Sequence, residues 1–144
     1  ERFRTVATRI RENGAPYGAH TLTYRAGGDI LLVRHEPISR WVLPGGEADA
    51  DETFLDTARR ELHEEAGVEA QYRGLGMIGR VTFRSDGHET WGVLPMFEGR
   101  VQADQQPTVR DPDGEITRAR WFRELPADTR DRAQLLQWRQ QRLG

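Results

Sequence analysis

One stretch constrains this chain more than any other: GEADADETFLDTARRELHEEAGV, Gly46 to Val68, where three glutamates crowd the end of a helix-compatible run. Thr53 to Ala66 contains nothing that forbids a helix, and Gly67 suits a left-handed exit. At about 100° per residue, with Glu61 at zero, Glu64 falls near −60° and Glu65 near +40°, an arc of about 100°. Leu55, Ala58, Leu62 and Ala66 fall between about 60° and 140°, an apolar stripe beside that arc. Asp56, Arg59 and His63 take the opposite, solvated side. The carboxylates therefore sit at the border of the core. Like charges one turn apart repel by a few tenths of a kcal/mol per pair, roughly, and a helix C-terminus disfavours anions. A hard divalent cation resolves that conflict, because Mg²⁺ takes one or two carboxylates together with waters and phosphate oxygens. A merely solvated acidic face is the other reading of these three residues alone.

The rest of the chain sets the frame. Its 144 residues fit one domain. Lys+Arg 21 against Asp+Glu 23 leaves a net charge of −2, which argues against a strongly basic nucleic-acid binder and an acidic disordered tail. Absence of Cys removes disulfides, thiolate metal sites and a Cys nucleophile. Every basic residue is Arg, so any phosphate-binding cation is a planar, permanently charged guanidinium, and a P-loop or Schiff-base lysine is impossible. No apolar run reaches the ~20 residues of a membrane helix, and ERFRTVATRI is not a signal peptide; a cytoplasmic protein is expected.

Phe3, Val6, Ala7 and Ile10 predict a short amphipathic helix ended by NGAP, so residues 1–16 are expected to be a helical extension and 17–144 the main domain. Strands are expected over His20–Arg25 and Ile30–His35, joined at Gly27-Gly28-Asp29, then at Trp41–Leu43. After the acidic helix, Leu75–Arg84 and Thr90–Val101 predict a hairpin through SDGH. Residues 102–114 predict an exposed loop. Trp121-Phe122 suits a short strand, and a last helix is expected from about Asp128 with Leu135, Leu136 and Trp138 inward. Interleaved strands and helices predict an α/β or α+β layer fold.

The acidic segment has fixed spacing: Gly46, five residues, Glu52, seven residues, Arg60-Glu61-Leu62, one residue, Glu64-Glu65, one residue, Gly67-Val68. Each of those positions matches the Nudix box, and the chain resembles the Nudix hydrolase family. The flanks ILLVRHEP, WVLPGG and DGEITRARWFRELP are similar to the family's strands and loops around the box. That resemblance implies a Nudix-type α/β/α sandwich, a mixed β-sheet between helices. It also implies water attack on phosphorus in a nucleoside diphosphate linked to another moiety, a small-molecule nucleotide. Glu61, Glu64 and Glu65 match the carboxylates that hold Mg²⁺ or Mn²⁺, with the Gly45 carbonyl as an extra ligand. Arg60 and Glu52 match the pair that braces the helix and orients the ligands. Ala50 and Asp51 replace the Pro and Gly common before Glu52, a change that removes no ligand.

Several roles stay open. Glu64 is a ligand or assists the water. The general base lies in the box or at Glu115 of DPDGEI, with Glu98 a weaker candidate. Arg34, Arg80 and Arg84 are candidate phosphate-binding residues, although most arginines are solvated. Trp91 or Phe83 could stack on a base, against the default of core packing. His20, His35 and His88 show no metal-ligand spacing with each other, and His63 faces solvent. Marks of ADP-ribose, dinucleoside polyphosphate and NADH cleavage outside the box are missing, leaving nucleoside triphosphates open. A non-catalytic Nudix-fold nucleotide sensor is the alternative, although such domains typically lose box carboxylates. Nucleic-acid binding through Arg130, Arg132, Arg139 and Arg142 is disfavoured by the net charge. A homodimer through the first helix is open.

Overall fold

The computed structural model describes residues 18–85 and 87–143, and the expected N-terminal helix lies outside them. The elements are β1 (Gly18–Tyr24), β2 (Ile30–His35), a 3-10 turn (Glu36–Ile38), β3 (Arg40–Val42), β4 (Gly45–Glu47) and α1 (Phe54–Ala66). They continue with β5 (Gln71–Ser85), β6 (His88–Arg100), β7 (Ile116–Phe122) and α2 (Arg132–Arg142). The sheet is mixed. It runs β3-β2-β1-β6-β5, with β7 also on β2 and β4 also on β1. β1 and β6 pair in parallel, from His20↔Met96 to Tyr24↔Arg100, whereas β5 and β6 form a long antiparallel hairpin.

β2 is buried on both faces because helices cover both. Leu31 and Val33 join Leu62, Ala66 and Val68 under α1, while Ile30 and Leu32 join Leu22, Tyr24, Leu135 and Trp138 under α2. The period-2 alternation of a strand thus feeds two cores from one segment. That is the sandwich expected from the sequence.

One irregularity makes room for a site. β1 and β2 meet beside their turn, at Tyr24↔Ile30, where Gly27 and Gly28 have φ of 95° and 91°. Toward their other ends, β4 takes the edge of β1 through His20↔Gly45, and β3 takes an edge of β2 through Arg34↔Trp41. The sheet forks there, and a cleft opens in the fork.

α1 begins where Thr53 Oγ1 accepts the Asp56 N–H at 3.1 Å, an N-cap. It ends at Gly67, whose φ is 67° and whose N–H reaches the His63 carbonyl. The apolar stripe differs in one place from the wheel: Leu55 is only partly buried, and Thr57 is buried instead. Its hydroxyl donates toward Glu52 Oε1, 3.1 Å away, so it is a polar brace rather than a core residue.

Two expectations at the C-terminal end need correction. β7 is seven residues long, because Ile116 to Phe122 pairs with β2 over its length. α2 starts at Arg132 rather than near Asp128. The Thr129 N–H turns back to the Pro126 carbonyl, the Arg130 N–H donates to the Trp41 carbonyl at 2.9 Å, and Asp131 is left-handed with φ 60°. A helix cannot run through donors committed that way.

Candidate active site

The fork holds a cleft of about 630 Å³ lined by Gly45–Glu47, by Arg60, Glu61, Glu64 and Glu65 of α1, and by Asp111, Pro112, Asp113 and Glu115 of the loop before β7. His20, His35, Ile38, Val42, Asp49 and Arg130 complete it. A larger cleft of about 840 Å³ lies behind α1 around Tyr72 and Arg100, and it holds none of the box carboxylates.

Arg60 is the hub of the acidic wall. Its Nε donates to Glu52 Oε2 at 2.8 Å and its Nη2 to Glu52 Oε1 at 3.1 Å, a bidentate pair. Nη2 also donates to the Glu47 carbonyl at 2.9 Å. Nη1 reaches Glu61 Oε1 at 2.7 Å and Glu64 Oε2 at 3.2 Å. One guanidinium therefore ties the entry loop, its brace and two box carboxylates together. The hydrogen bonds from Arg60 hold the Glu52 carboxyl down to about 2, so the brace stays ionised through ordinary pH.

Glu65 is the buried member, 8% exposed. Its Oε1 accepts the Gly45 N–H at 2.9 Å. Burial pushes its carboxyl well above the usual range, and the charges of Glu61 and Asp111 push the same way. Glu61 is raised as well, chiefly by burial, with Glu64 adding to the shift against the opposing pull of Arg60. Two glycines allow this crowding. A Cβ on Gly46 would lie 2.7 Å from Glu61 Oε2, and one on Gly45 would lie 2.3 Å from His20 Cγ.

Among the described residues no three acidic or histidine side chains converge into a ready-made metal cage. The donor set nonetheless suits a hard divalent cation. Glu61 and Glu65 sit close enough that the charge of Glu61 helps to raise the Glu65 carboxyl. A carboxylate pair held together in a partly dry cleft either keeps a proton or takes a cation in its place. The Gly45 contact seen is through its N–H.

The NUDIX domain model matches residues 15–139. The chain belongs to the Nudix family. A Bacillus subtilis (strain 168) protein named "Putative 8-oxo-dGTP diphosphatase" is 32% identical over 93 residues, 64% of this chain and 61% of that protein. A Mycobacterium tuberculosis relative with a similar name, "Putative 8-oxo-dGTP diphosphatase 3", is 32% identical over 120 residues, 75% of this chain and 52% of the relative. The chain thus spans little more than half the length of these curated relatives. Among solved structures, the NUDIX domain of Shewanella oneidensis NrtR complexed with ADP ribose superposes with a TM-score of 0.68 at 20% identity, covering 95% of this chain and 98% of that one. At that identity the likeness is one of fold.

The Nudix box residues Arg60, Glu61, Glu64 and Glu65 thus come together in one cleft, Glu52 grips Arg60 from outside it, and Glu115 lines it from the distal loop. That loop is not merely exposed. Its Thr108 N–H donates to the Ala66 carbonyl at 2.7 Å and its Arg110 N–H to the Glu64 carbonyl at 3.1 Å, so the end of α1 fastens it. Arg34 is elsewhere: its Nη1 donates to Asp128 Oδ2 at 2.6 Å, and it does not line the cleft. Arg80 and Arg84 lie on β5 opposite Val93 and Glu89, with their side chains, like those of Phe83 and Trp91, outside the described residues. Glu98 is also elsewhere, gripped by Arg142 and Trp138. Arg132 and Arg139 of the proposed nucleic-acid face are engaged with backbone carbonyls, Leu125 for the first and Gly28 and Arg123 for the second.

The sequence reading missed Asp111, His20, His35 and Arg130. Asp111 carried a signal, since DPDG is a turn and its carboxylate accepts the Glu115 and Ile116 N–H groups at 2.8 and 2.9 Å. His20 and His35 carried none, because only the fork brings them to one place. No helix of the described residues is long and apolar enough to cross a membrane.

Proposed function

We propose that this chain is a Mg²⁺-dependent pyrophosphohydrolase acting on a nucleoside diphosphate linked to another moiety, by water attack on phosphorus. The observation that carries the reading is the acidic wall itself: Glu65 buried, Glu61 half-buried beside it, and Glu64 next to them, with Arg60 and Glu52 bracing Glu61 and Glu64. Glu61, Glu64 and Glu65, with the Gly45 carbonyl, would hold Mg²⁺ or Mn²⁺. When bound, the cation supplies charge neutralisation of the diphosphate oxygens and makes a neighbouring water more acidic. Glu64 or Glu115 takes the proton from the attacking water, and Arg60 keeps the carboxylates aligned through the reaction. The names of the relatives make nucleoside triphosphates, oxidised or not, the first substrates to try. The alternative of a non-catalytic sensor loses weight because all box carboxylates are kept and oriented.

The test is a panel of dGTP, 8-oxo-dGTP, ADP-ribose, a dinucleoside tetraphosphate and a nucleotide sugar, each with Mg²⁺ and with EDTA. Chromatography should show one class cut to a nucleoside monophosphate with Mg²⁺ and uncut with EDTA. Binding without cleavage of any member would instead favour the sensor.

A further inference from the structure

Across the cleft from α1 stands a wall of different chemistry: His20 of β1, His35 at the end of β2, and Arg130 in the turn before α2. His20 is 6% exposed, and neither its Nδ1 nor that of His35 has a hydrogen-bond partner among the described residues. The Oγ1 of Thr129, beside Arg130, is buried and unpartnered too. Folded proteins leave few buried polar atoms unsatisfied, so two such imidazoles on one cleft offer open hydrogen-bonding positions to a bound water or ligand.

Arg130 adds the charge. Its backbone is fixed to Trp41 by the N–H to carbonyl bond at 2.9 Å. Its guanidinium lines the same cleft as the acidic residues of α1 and the distal loop, yet it makes no ion pair with any described residue. Cation and carboxylates thus line one cleft without pairing with each other. This wall therefore offers a fixed positive charge beside two imidazoles whose Nδ1 atoms have no partner among the described residues.

A diphosphate on the acidic wall would be neutralised by a cation that Glu61, Glu64 and Glu65 would hold. A further phosphate reaching over the cleft would need its own cation, and Arg130 is placed to be it. A diphosphate-linked sugar would put a neutral ring there and leave the guanidinium unmatched. We propose that Arg130, backed by His20 and His35, is an anchoring subsite for a third phosphate. The substrate class is then a nucleoside triphosphate or longer polyphosphate rather than a diphosphate-linked sugar. This rests on the pyrophosphohydrolase reading of the carboxylate wall.

The experiment has two arms, on the wild type and on Arg130→Gln and Arg130→Lys. Calorimetry in Mg²⁺ measures the affinity of α,β-methylene dGTP and α,β-methylene dGDP, and steady-state kinetics compare dGTP with ADP-ribose. The wild type should bind the triphosphate at least about tenfold more tightly than the diphosphate, and Arg130→Gln should erase that difference. KM for dGTP should rise about 10- to 100-fold with kcat nearly unchanged, and Arg130→Lys should recover part of it. His20→Phe should raise the same KM less; should that variant not fold, the Arg130 arm still decides. Arg130→Gln weakening both analogues alike, or neither, overturns the subsite. Wild type that cleaves nothing sinks the hydrolase reading instead, while the calorimetry still judges the subsite.

Discussion

Two glutamates are buried to nearly the same degree, Glu98 at 4% exposure and Glu65 at 8%, and their surroundings are opposite. Glu98 on β6 receives Arg142 Nε and Nη2, each at 2.9 Å, and the Trp138 indole N–H at 2.8 Å. Those donors, Arg142 foremost, hold its carboxyl below the usual range. Glu65 on α1 receives one backbone N–H and faces Glu61 and Asp111. One carboxylate is stabilised as an anion by its own fold. The other is left as an acid until a cation comes. Burial alone does not mark a functional carboxylate; burial without neutralising partners does.

The widest separation is expected in turnover. Replacing Glu65 by Gln keeps the shape and removes a cation ligand, so kcat should fall by about 10²- to 10⁴-fold on whichever substrate the panel identifies. Glu98→Gln should leave kcat/KM within about threefold, since the residue reaches the cleft through no contact. A comparable loss in both variants, measured at saturating Mg²⁺, would collapse the distinction.

Stability should rank the pair the other way. Glu98→Gln breaks charged hydrogen bonds to Arg142 and should lower stability by about 1–3 kcal/mol, toward the lower end because Arg142 is largely exposed. Glu65→Gln in metal-free buffer should raise the melting temperature by a few degrees, roughly. The pH dependence follows from the signs. Glu98 has a lowered folded pKa, so its contribution is present above about pH 4.5 and fades as pH falls through the folded value. Glu65 has a raised folded pKa, so the metal-free protein is favoured below about pH 4.5 and loses that stability as pH rises toward the folded value. Thermal melts from pH 5 to 8 should show the metal-free wild type declining relative to Glu65→Gln. The stabilisation by Mg²⁺ should grow over the same range.

This contrast was only half legible in the sequence. The wheel placed Glu61, Glu64 and Glu65 on one arc because a helix has a fixed period, and the spacing to Glu52 and Arg60 is local. Glu98 stood as a weaker base candidate because a strand-end carboxylate says nothing of its partner, 44 residues away at Arg142. Arg130 was assigned to the last helix because only tertiary donors, the Thr129 and Arg130 N–H groups, stop that helix short. Histidines 20 and 35 are brought together by a fork in the sheet, and no local period encodes a fork. Short-range geometry could be read; long-range pairing could not.

The smallest effect belongs to a carboxylate of a third kind, exposed and on a fastened loop. Glu115 lines the cleft, is exposed, and has its N–H held at 2.8 Å by Asp111, whose charge in turn reaches Glu65. An exposed base competes with solvent for the proton, so Glu115→Gln should cost only about tenfold in kcat at unchanged KM. A loss within about twofold would hand the proton transfer to Glu64 on α1. Buried and exposed acids would then share no role at all: the cleft's chemistry would belong to the helix, and the distal loop, pinned at Thr108 and Arg110, would serve to close the site's outer side.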